Sequence, residues 1–200
     1  NRILVSNLIG AQNPNSSLLP SGYNNGYSGS QQDVVVGAFL TAYSGNKISD
    51  RTINPLNNIP LPNWTINYTG LTKFEFTKKF LKNFKLNHAY SSTVTVSGMQ
   101  TNLNATQDAN GFLTALDLNN NFISGTQIQN VRISEKFGPL VGFLATWTIL
   151  GKSLTTNFEY RKERTTTLSL NNNQVTEVLG KDVVIGTVLT FPKLKLPFAN

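Results

Sequence analysis

The side chains best suited to chemistry in this sequence are a pair of carboxylates and a single histidine. Glu159 and Glu163 stand four residues apart with Arg161 between them, and paired carboxylates can serve as general acid and general base. In an extended strand, Arg161 more simply forms an ion pair with one of them. His88 has no second histidine, cysteine or aspartate at the spacing of metal ligands. We therefore interpret His88 as part of an interfacial aromatic belt.

The composition points away from enzymes and metal proteins. Cysteine is absent, which excludes disulfides and Cys-based metal sites. The chain has no Ser/His/Asp set and no phosphate-binding loop. The sequence thus predicts a protein without catalytic residues, metal ligands or a cofactor.

The charge pattern favours a protein at a boundary between lipid and water. Charged residues are only 14% of the 200 residues, and Asn, Thr, Ser and Gly supply the polarity instead. Such a composition suits strands with one face in lipid and one in a wet lumen, and it also suits a secreted adhesin-like sandwich. The net charge is +7, but Lys and Arg are mostly scattered, so we expect no nucleic-acid partner. The start at Asn1 is expected of a mature chain or an internal piece of a longer one.

The elements that position these residues are long strands. From Ser153 the residues alternate between two faces, as side chains do along a strand. One face carries Leu154, Thr156, Phe158, Tyr160, Thr166, Leu168 and Leu170. The other face has no apolar side chain and carries Thr155, Asn157, Glu159, Arg161, Glu163, Thr165, Thr167 and Ser169. Asn171–Asn173 then make a tight turn, and Val175–Phe191 returns as a second arm. Each arm is about three times the usual strand of ~5–6 residues, a length that indicates a large transmembrane β-barrel.

The rest of the chain divides into two regions. Residues 1–63 are predicted to be loop-rich with a short helix at Gln31–Tyr43, for which Asp33 would be the N-cap. Residues 64–200 are predicted to be antiparallel barrel strands with turns such as Gly138-Pro139. The pattern at Arg2–Ile9 fits either a strand or the end of a helix.

A basic amphipathic connector is predicted within the second region, at about residues 72–84. Phe76, Phe80 and Phe84 recur at four-residue spacing with lysines between them, which is typical of a helix. Such a helix could contact a membrane surface or a partner, or it could simply cover the end of a strand. The second interpretation is favoured. The segment that follows this connector to residue 124 is expected to be a strand and then a long connection, with a strand fragment at Phe112–Leu118.

Several motifs resemble a known family and occur in that family's order. They are Pro60–Trp64, Tyr68–Leu71, Leu86–Tyr90, Asn130–Phe137, Phe158–Lys162 and Asn172–Glu177. They look like the C-terminal part of the SprA/Sov family, the giant outer-membrane translocons of the type IX secretion system of Bacteroidota. The resemblance covers the chain from Gln31 onward. It implies an all-β fold that is part of a large antiparallel transmembrane β-barrel with long loops and one or two short helices.

The resemblance also implies a function. The chain would be a segment of a much longer protein-conducting channel that exports folded proteins across the outer membrane. Its partners would be a PorV-type shuttle protein, a plug protein, secreted cargo with a type IX C-terminal signal, and membrane lipid or lipopolysaccharide. Residues expected to line the lumen are Lys85, Asn87, Asn130, Arg132, Lys136, Glu159, Arg161 and Glu163. Residues expected to face lipid or its interfaces are Trp64, Tyr68, Tyr90, Trp147, Phe158 and Tyr160.

Two other functions fit the pattern. A different outer-membrane porin or nutrient-receptor barrel would show the same strands. A soluble cell-surface β-sandwich binding module would show strands near the usual length, with the apolar face buried against a second sheet. The long arm from Ser153 to Ser169 argues against the sandwich.

Overall fold

The computed structural model describes residues 1–45, 47–49, 62–149 and 151–191. The fold is mostly antiparallel β-sheet with few helices, which confirms the predicted all-β class. The helical elements are α1 (Arg2–Gly10), α2 (Gln32–Tyr43), a 3-10 turn (Gly70–Lys73) and α3 (Glu75–Lys78). The strands are β1 (Trp64–Tyr68), β2 (Leu81–Ser97), β3 (Gln100–Thr101), β4 (Thr126–Gln127), β5 (Asn130–Ile149), β6 (Lys152–Ser169) and β7 (Gln174–Thr190).

One sheet dominates the fold. Its strand order is β1-β2-β5-β6-β7, and β3 pairs with β4 in a separate two-stranded sheet. Within the described residues the large sheet is open, with β1 and β7 at its edges. No helix in the described part of the chain is long and apolar enough to cross a membrane.

The chain forms two compact units. Unit 1 comprises Asn1–Leu61, Ser92–Ser134 and Thr165–Val178, and unit 2 comprises Pro62–Ser91, Glu135–Arg164 and Leu179–Asn200. Most of residues 44–62, the last part of the predicted loop-rich region, lies outside the described residues. The division that the sequence suggested at residue 63 stays a prediction.

The core of unit 1 is built on α2. Val35, Val36, Phe39 and Leu40 of this helix pack against apolar side chains of the strands and of the segment before β5. Those partners include Ile128, Val131, Ile133 and Leu168. The run of valines, a poor local helix former, is helical because the helix is apolar almost all round and is buried on nearly every side.

The predicted N-cap of α2 was wrong. Gln31 caps the helix, its side-chain oxygen accepting a hydrogen bond from the Val34 backbone N–H at 3.0 Å. Asp33 lies in the first turn, where its carboxylate accepts hydrogen bonds from the Ser124 hydroxyl at 2.8 Å and from the Gln31 amide at 3.0 Å. The same Gln31 amide donates to the Phe122 carbonyl at 3.2 Å. The contacts of Gln31 with Phe122 and of Asp33 with Ser124 span about ninety positions, so a local capping rule could not reveal them.

The ambiguous segment at the start of the chain is a helix. In α1, Val5 and Ser6 are fully buried. The Ser6 hydroxyl donates to the Tyr27 carbonyl at 2.6 Å and accepts from the Asn24 backbone N–H at 2.9 Å. Helix α1 is thereby tied to the loop that follows it.

Among its described residues, unit 1 also contains a nine-residue hairpin that occurs three times, at residues 17–25, 106–114 and 115–123. In each copy the ninth N–H donates to the first carbonyl, and the third N–H donates to the seventh carbonyl, all at 2.7–3.0 Å. The sixth residue has a positive φ in every copy: Gly22 (84°), Gly111 (86°) and Asn120 (56°). The strand fragment predicted at Phe112–Leu118 was therefore wrong, because that segment ends one hairpin and begins the next.

Two aspartates brace the second and third hairpins. The Asp108 carboxylate accepts from the Asn110 and Phe112 backbone N–H groups at 2.9 and 3.0 Å. Asp117 does the same with Asn119 and Asn121, at 2.8 and 2.9 Å. The hydrogen bond from Phe112 is the main reason that the pKa of Asp108 lies below its ordinary value.

In unit 2, β5 corrects the sequence prediction. A turn was expected at Gly138-Pro139, but the strand runs unbroken from Asn130 to Ile149. Proline removes one ladder donor, yet the neighbouring Leu140 carbonyl lies 2.6 Å from His88 Nδ1. A side chain of β2 thus bonds to the backbone of β5 at this point.

The helical connector of unit 2 is present but shorter than predicted. The 3-10 turn Gly70–Lys73 and α3 make up its helical part, and Leu81 already begins β2, so Phe84 lies on the strand. The Thr77 hydroxyl joins the two turns by donating to the carbonyls of Leu71 at 2.5 Å and Phe74 at 2.9 Å.

The hairpin geometry yields a matched test with two glycines. An added Cβ meets nothing within 4 Å at either Gly111 or Gly125, but only Gly111 has a positive φ. We expect Gly111→Ala to destabilise the second hairpin by about 1–2 kcal/mol, the cost of a left-handed conformation, and Gly125→Ala to be neutral or mildly stabilising. Native-state hydrogen exchange at the Phe112 and Thr114 amides measures the effect. Equal exchange in both variants would contradict the assigned hairpin conformation.

Candidate functional site: the two faces of the unit 2 sheet

One face of the sheet in unit 2 is covered by aromatic rings. We call it the aromatic face. It consists of Trp64, Phe84, His88, Tyr90, Phe137, Phe143, Trp147 and Phe158. The rings come from β1, β2, β5 and β6, because alternate residues of each strand point to the same side. The aromatic face therefore brings together four of the six positions expected to face lipid: Trp64, Tyr90, Trp147 and Phe158.

The rings contact one another across strands. Phe143 of β5 lies 6.5 Å from Phe84 and 5.5 Å from Phe158, as measured between ring centroids, and both pairs are stacked. At the β1 edge, Trp64 stacks on Tyr90 at 4.4 Å, where these two residues are direct partners in the ladder. Such pairs contribute about 0.5–1.5 kcal/mol each beyond the burial of their area. They fix which residues stand opposite one another.

His88 belongs to this cluster of rings. Its centroid is 6.3 Å from Trp64 and 5.8 Å from Phe137, and its Nδ1 contacts the Leu140 carbonyl. These contacts orient the imidazole by packing and by a backbone group. No group of three or more His, Cys, Asp or Glu side chains that could hold a metal occurs in the described part of the chain.

A charged pair interrupts the aromatic face at Glu135. The sequence shows Glu135 as a break in an apolar pattern, and the structure supplies its partners. One carboxylate oxygen accepts from Arg164 Nε at 2.9 Å and contacts Arg164 Nη2 at 2.6 Å. The other accepts from the Tyr90 hydroxyl at 3.0 Å. The sequence signal for this cluster was the misfit of Glu135, but its partners lie 45 and 29 residues away.

The opposite face of unit 2 is polar. We call it the polar face. Of the residues predicted to line a lumen, it holds Lys85, Asn87, Lys136, Glu159, Arg161 and Glu163. The predicted ion pair of Arg161 forms with Glu159, and Arg161 Nε lies 3.0 Å from the carboxylate. Glu163 packs against Gly180 and Asn87 against Gly142, positions at which an added Cβ would meet these side chains.

The remaining predicted positions lie apart from these two groups. Asn130 and Arg132 are in unit 1, where Arg132 Nε donates to the Thr167 hydroxyl at 3.3 Å. The ring of Tyr68 packs over Gly70, where an added Cβ would lie 2.7 Å from its hydroxyl. Tyr160 is half-buried on β6. The exposure of one face to lipid and of the other to a lumen stays a prediction.

Comparison with known proteins adds no family assignment. No protein-family profile matches this chain, and no curated protein is significantly similar to it.

The charged pair on the aromatic face gives a test of how that face is held together. We expect Arg164→Met to lower stability by about 1–3 kcal/mol, because it leaves a half-buried carboxylate without its cation. The double variant Arg164→Met/Glu135→Gln removes the stranded charge and should recover most of the loss. The thermal unfolding midpoint of the protein reports both. The single variant Glu135→Gln completes the comparison. If the loss of stability in the double variant equals the sum of the losses in the two single variants, Glu135 and Arg164 do not act as a pair.

Proposed function

We propose that this chain forms part of the wall of a protein-conducting outer-membrane channel, the translocon of the type IX secretion system. The observation that carries the proposal is the pairing of very long strands with two chemically opposite faces. Strands β2, β5 and β6 have 17, 20 and 18 residues, whereas about 9–11 residues suffice to cross a bilayer. Strands of this length extend well beyond the lipid.

The aromatic face suits lipid and its interfaces. Trp64 of this face and Tyr68, which has the same strand parity on β1, remain 40% and 44% exposed, and Trp and Tyr concentrate where hydrocarbon meets headgroups. A soluble β-sandwich would bury such a face against a second sheet. These exposed rings therefore favour the membrane protein over the sandwich.

The polar face suits a hydrated lumen. Its charges are of both signs, and Arg161 and Glu159 neutralise each other in an ion pair. Along β2 and β6 a passing protein would meet hydroxyl, amide and charged groups. Asn130 and Arg132, which were also expected to line the lumen, belong to unit 1.

The conducting role itself comes from the sequence resemblance to the SprA/Sov family. On that basis folded cargo bearing a type IX C-terminal signal crosses through the lumen and leaves sideways to a PorV-type shuttle. A plug protein closes the pore at other times. This function requires no catalytic residue, metal or cofactor, and binding to nucleic acid has no part in it.

The first experiment is membrane fractionation of the source organism. An antibody against residues 152–176 should detect a band in the outer membrane that is far heavier than the 22.0 kDa of this chain. A soluble or secreted band near 22 kDa would overturn the proposal and leave a small β-module.

Cysteine labelling tests the two faces directly, since the chain has no cysteine of its own. In the full-length protein, freed of any other cysteine and studied in outer-membrane vesicles, single variants would be made at neighbouring positions of β6. Glu159→Cys and Arg161→Cys should react with a membrane-impermeant maleimide. Phe158→Cys and Tyr160→Cys should be protected until detergent is added, because lipid would cover them. Labelling that does not alternate along the strand would contradict the assignment of the faces.

A further inference from the structure

The proposed function leaves one feature of unit 2 unexplained, the basic and aromatic connector between β1 and β2. We define the connector rim as Lys73, Phe74, Phe76, Lys79, Phe80 and Lys82. All six side chains are exposed, and Phe76 is 68% exposed. Helical elements that merely cover the end of a strand turn their rings inward, so this arrangement needs another explanation.

The charge of the rim is strongly one-sided. Glu75 is the only acidic residue between Gly70 and Lys82, and it pairs with Lys78 at 3.0 Å. In the described part of the chain, Lys73, Lys79 and Lys82 make no ion pair within 4 Å. Three ammonium groups are thus available to an anionic ligand.

The apolar part of the rim is continuous with the aromatic face. Phe80 stacks on Trp147, with ring centroids 6.1 Å apart, and the Phe80 carbonyl accepts from the Thr148 backbone N–H at 2.8 Å. Phe74 and Phe76 lie 6.0 Å apart. The rings therefore extend the surface assigned to lipid up to the lysines.

A second lysine-aromatic pair lies at the ends of neighbouring strands. The Lys152 ammonium is 4.7 Å from the centroid of the Phe191 ring, and β5 and β6 meet between Ile149 and Lys152. Exposed Ile149 and Phe191 add apolar area beside this cation. The same combination of cations and rings thus recurs beyond the connector.

We propose that the connector rim binds the phosphate headgroups of anionic membrane lipids. Lys73, Lys79 and Lys82 would hold the phosphates, while Phe74, Phe76 and Phe80 enter the boundary with the acyl chains. Lysine stems reach from apolar surface to charged headgroups, and basic residues beside a membrane are each worth about 1 kcal/mol on an anionic surface. Lipid is favoured over an acidic protein because the rings join a surface already assigned to lipid. This inference rests on the proposed function. It adds that the connector end of the sheet lies at the level of the lipid headgroups.

The test uses the full-length protein in a neutral detergent and a photoreactive phosphatidylglycerol, with phosphatidylcholine as the neutral competitor. Adducts would be mapped by peptide mass spectrometry. We expect adducts on residues 70–82 that unlabelled phosphatidylglycerol displaces and phosphatidylcholine does not. In Lys73→Gln/Lys79→Gln, the affinity for phosphatidylglycerol at this site should fall roughly thirty-fold, about fivefold for each lysine.

Matched variants keep the test decisive. Lys85→Gln/Lys136→Gln removes the same charge from exposed positions on the polar face of unit 2 and should leave the affinity unchanged. Phe76→Ser should weaken adduct formation while the preference for phosphatidylglycerol over phosphatidylcholine as competitor persists, because it removes an apolar contact and no charge. Equal losses in the two lysine variants, equal competition by the two lipids, or preferential binding of polyglutamate would each overturn the inference. A soluble or secreted band in the fractionation experiment would instead overturn the proposed function. The two failures are therefore distinguishable.

Discussion

Ring-to-ring packing between neighbouring strands is the interaction on which unit 2 depends. A strand has a side-chain period of two, so a slip of one residue would carry every ring to the other face. Phe84, Phe143 and Phe158 come from three successive strands of the sheet and stack in a row. Each contact is worth little alone, but a slip would break all of them together. The register of the polar face is set by the same contacts, because both faces share one backbone.

A polar group on such a face must be satisfied locally. Glu135 shows how this is done, since Arg164 and the Tyr90 hydroxyl occupy both of its oxygens. The aromatic face thereby keeps a charged residue without an isolated buried charge, which would be costly. On the polar face, water can solvate the side chains. The Arg161 side chain in its pair with Glu159 is correspondingly more exposed than the Arg164 side chain in its pair with Glu135.

Unit 1 is stabilised differently, by buried polar contacts as much as by apolar packing. Gln31 is 3% exposed, and its amide bonds to the Phe122 carbonyl and the Ser124 hydroxyl. Around Tyr27, the Ser6 hydroxyl donates to the Tyr27 carbonyl and the Asn13 amide donates to the Tyr27 hydroxyl. Burial is the chief reason that the pKa of Tyr27 is raised. The three nine-residue hairpins need few apolar residues because backbone and aspartate hydrogen bonds close them. This explains how an Asn- and Gly-rich segment is ordered.

The sequence by itself determined the features that repeat along the backbone. Alternation revealed the long strands, the two faces and the pairing of Arg161 with a neighbouring glutamate, because these depend only on residues two apart. It also located the Asn171–Asn173 turn, where Asn173 has a positive φ. Tertiary structure alone decided the cap of α2, the helical state of its valines, the unbroken path of β5 through Pro139 and the partners of Glu135. Each of these depends on a group between about thirty and a hundred residues away, or on burial by another element, and local rules carry no information about such contacts. The nine-residue hairpin lies between the two cases, since its positive-φ position recurs as Gly, Gly and Asn, but only the hydrogen bonds show that the three segments share one conformation.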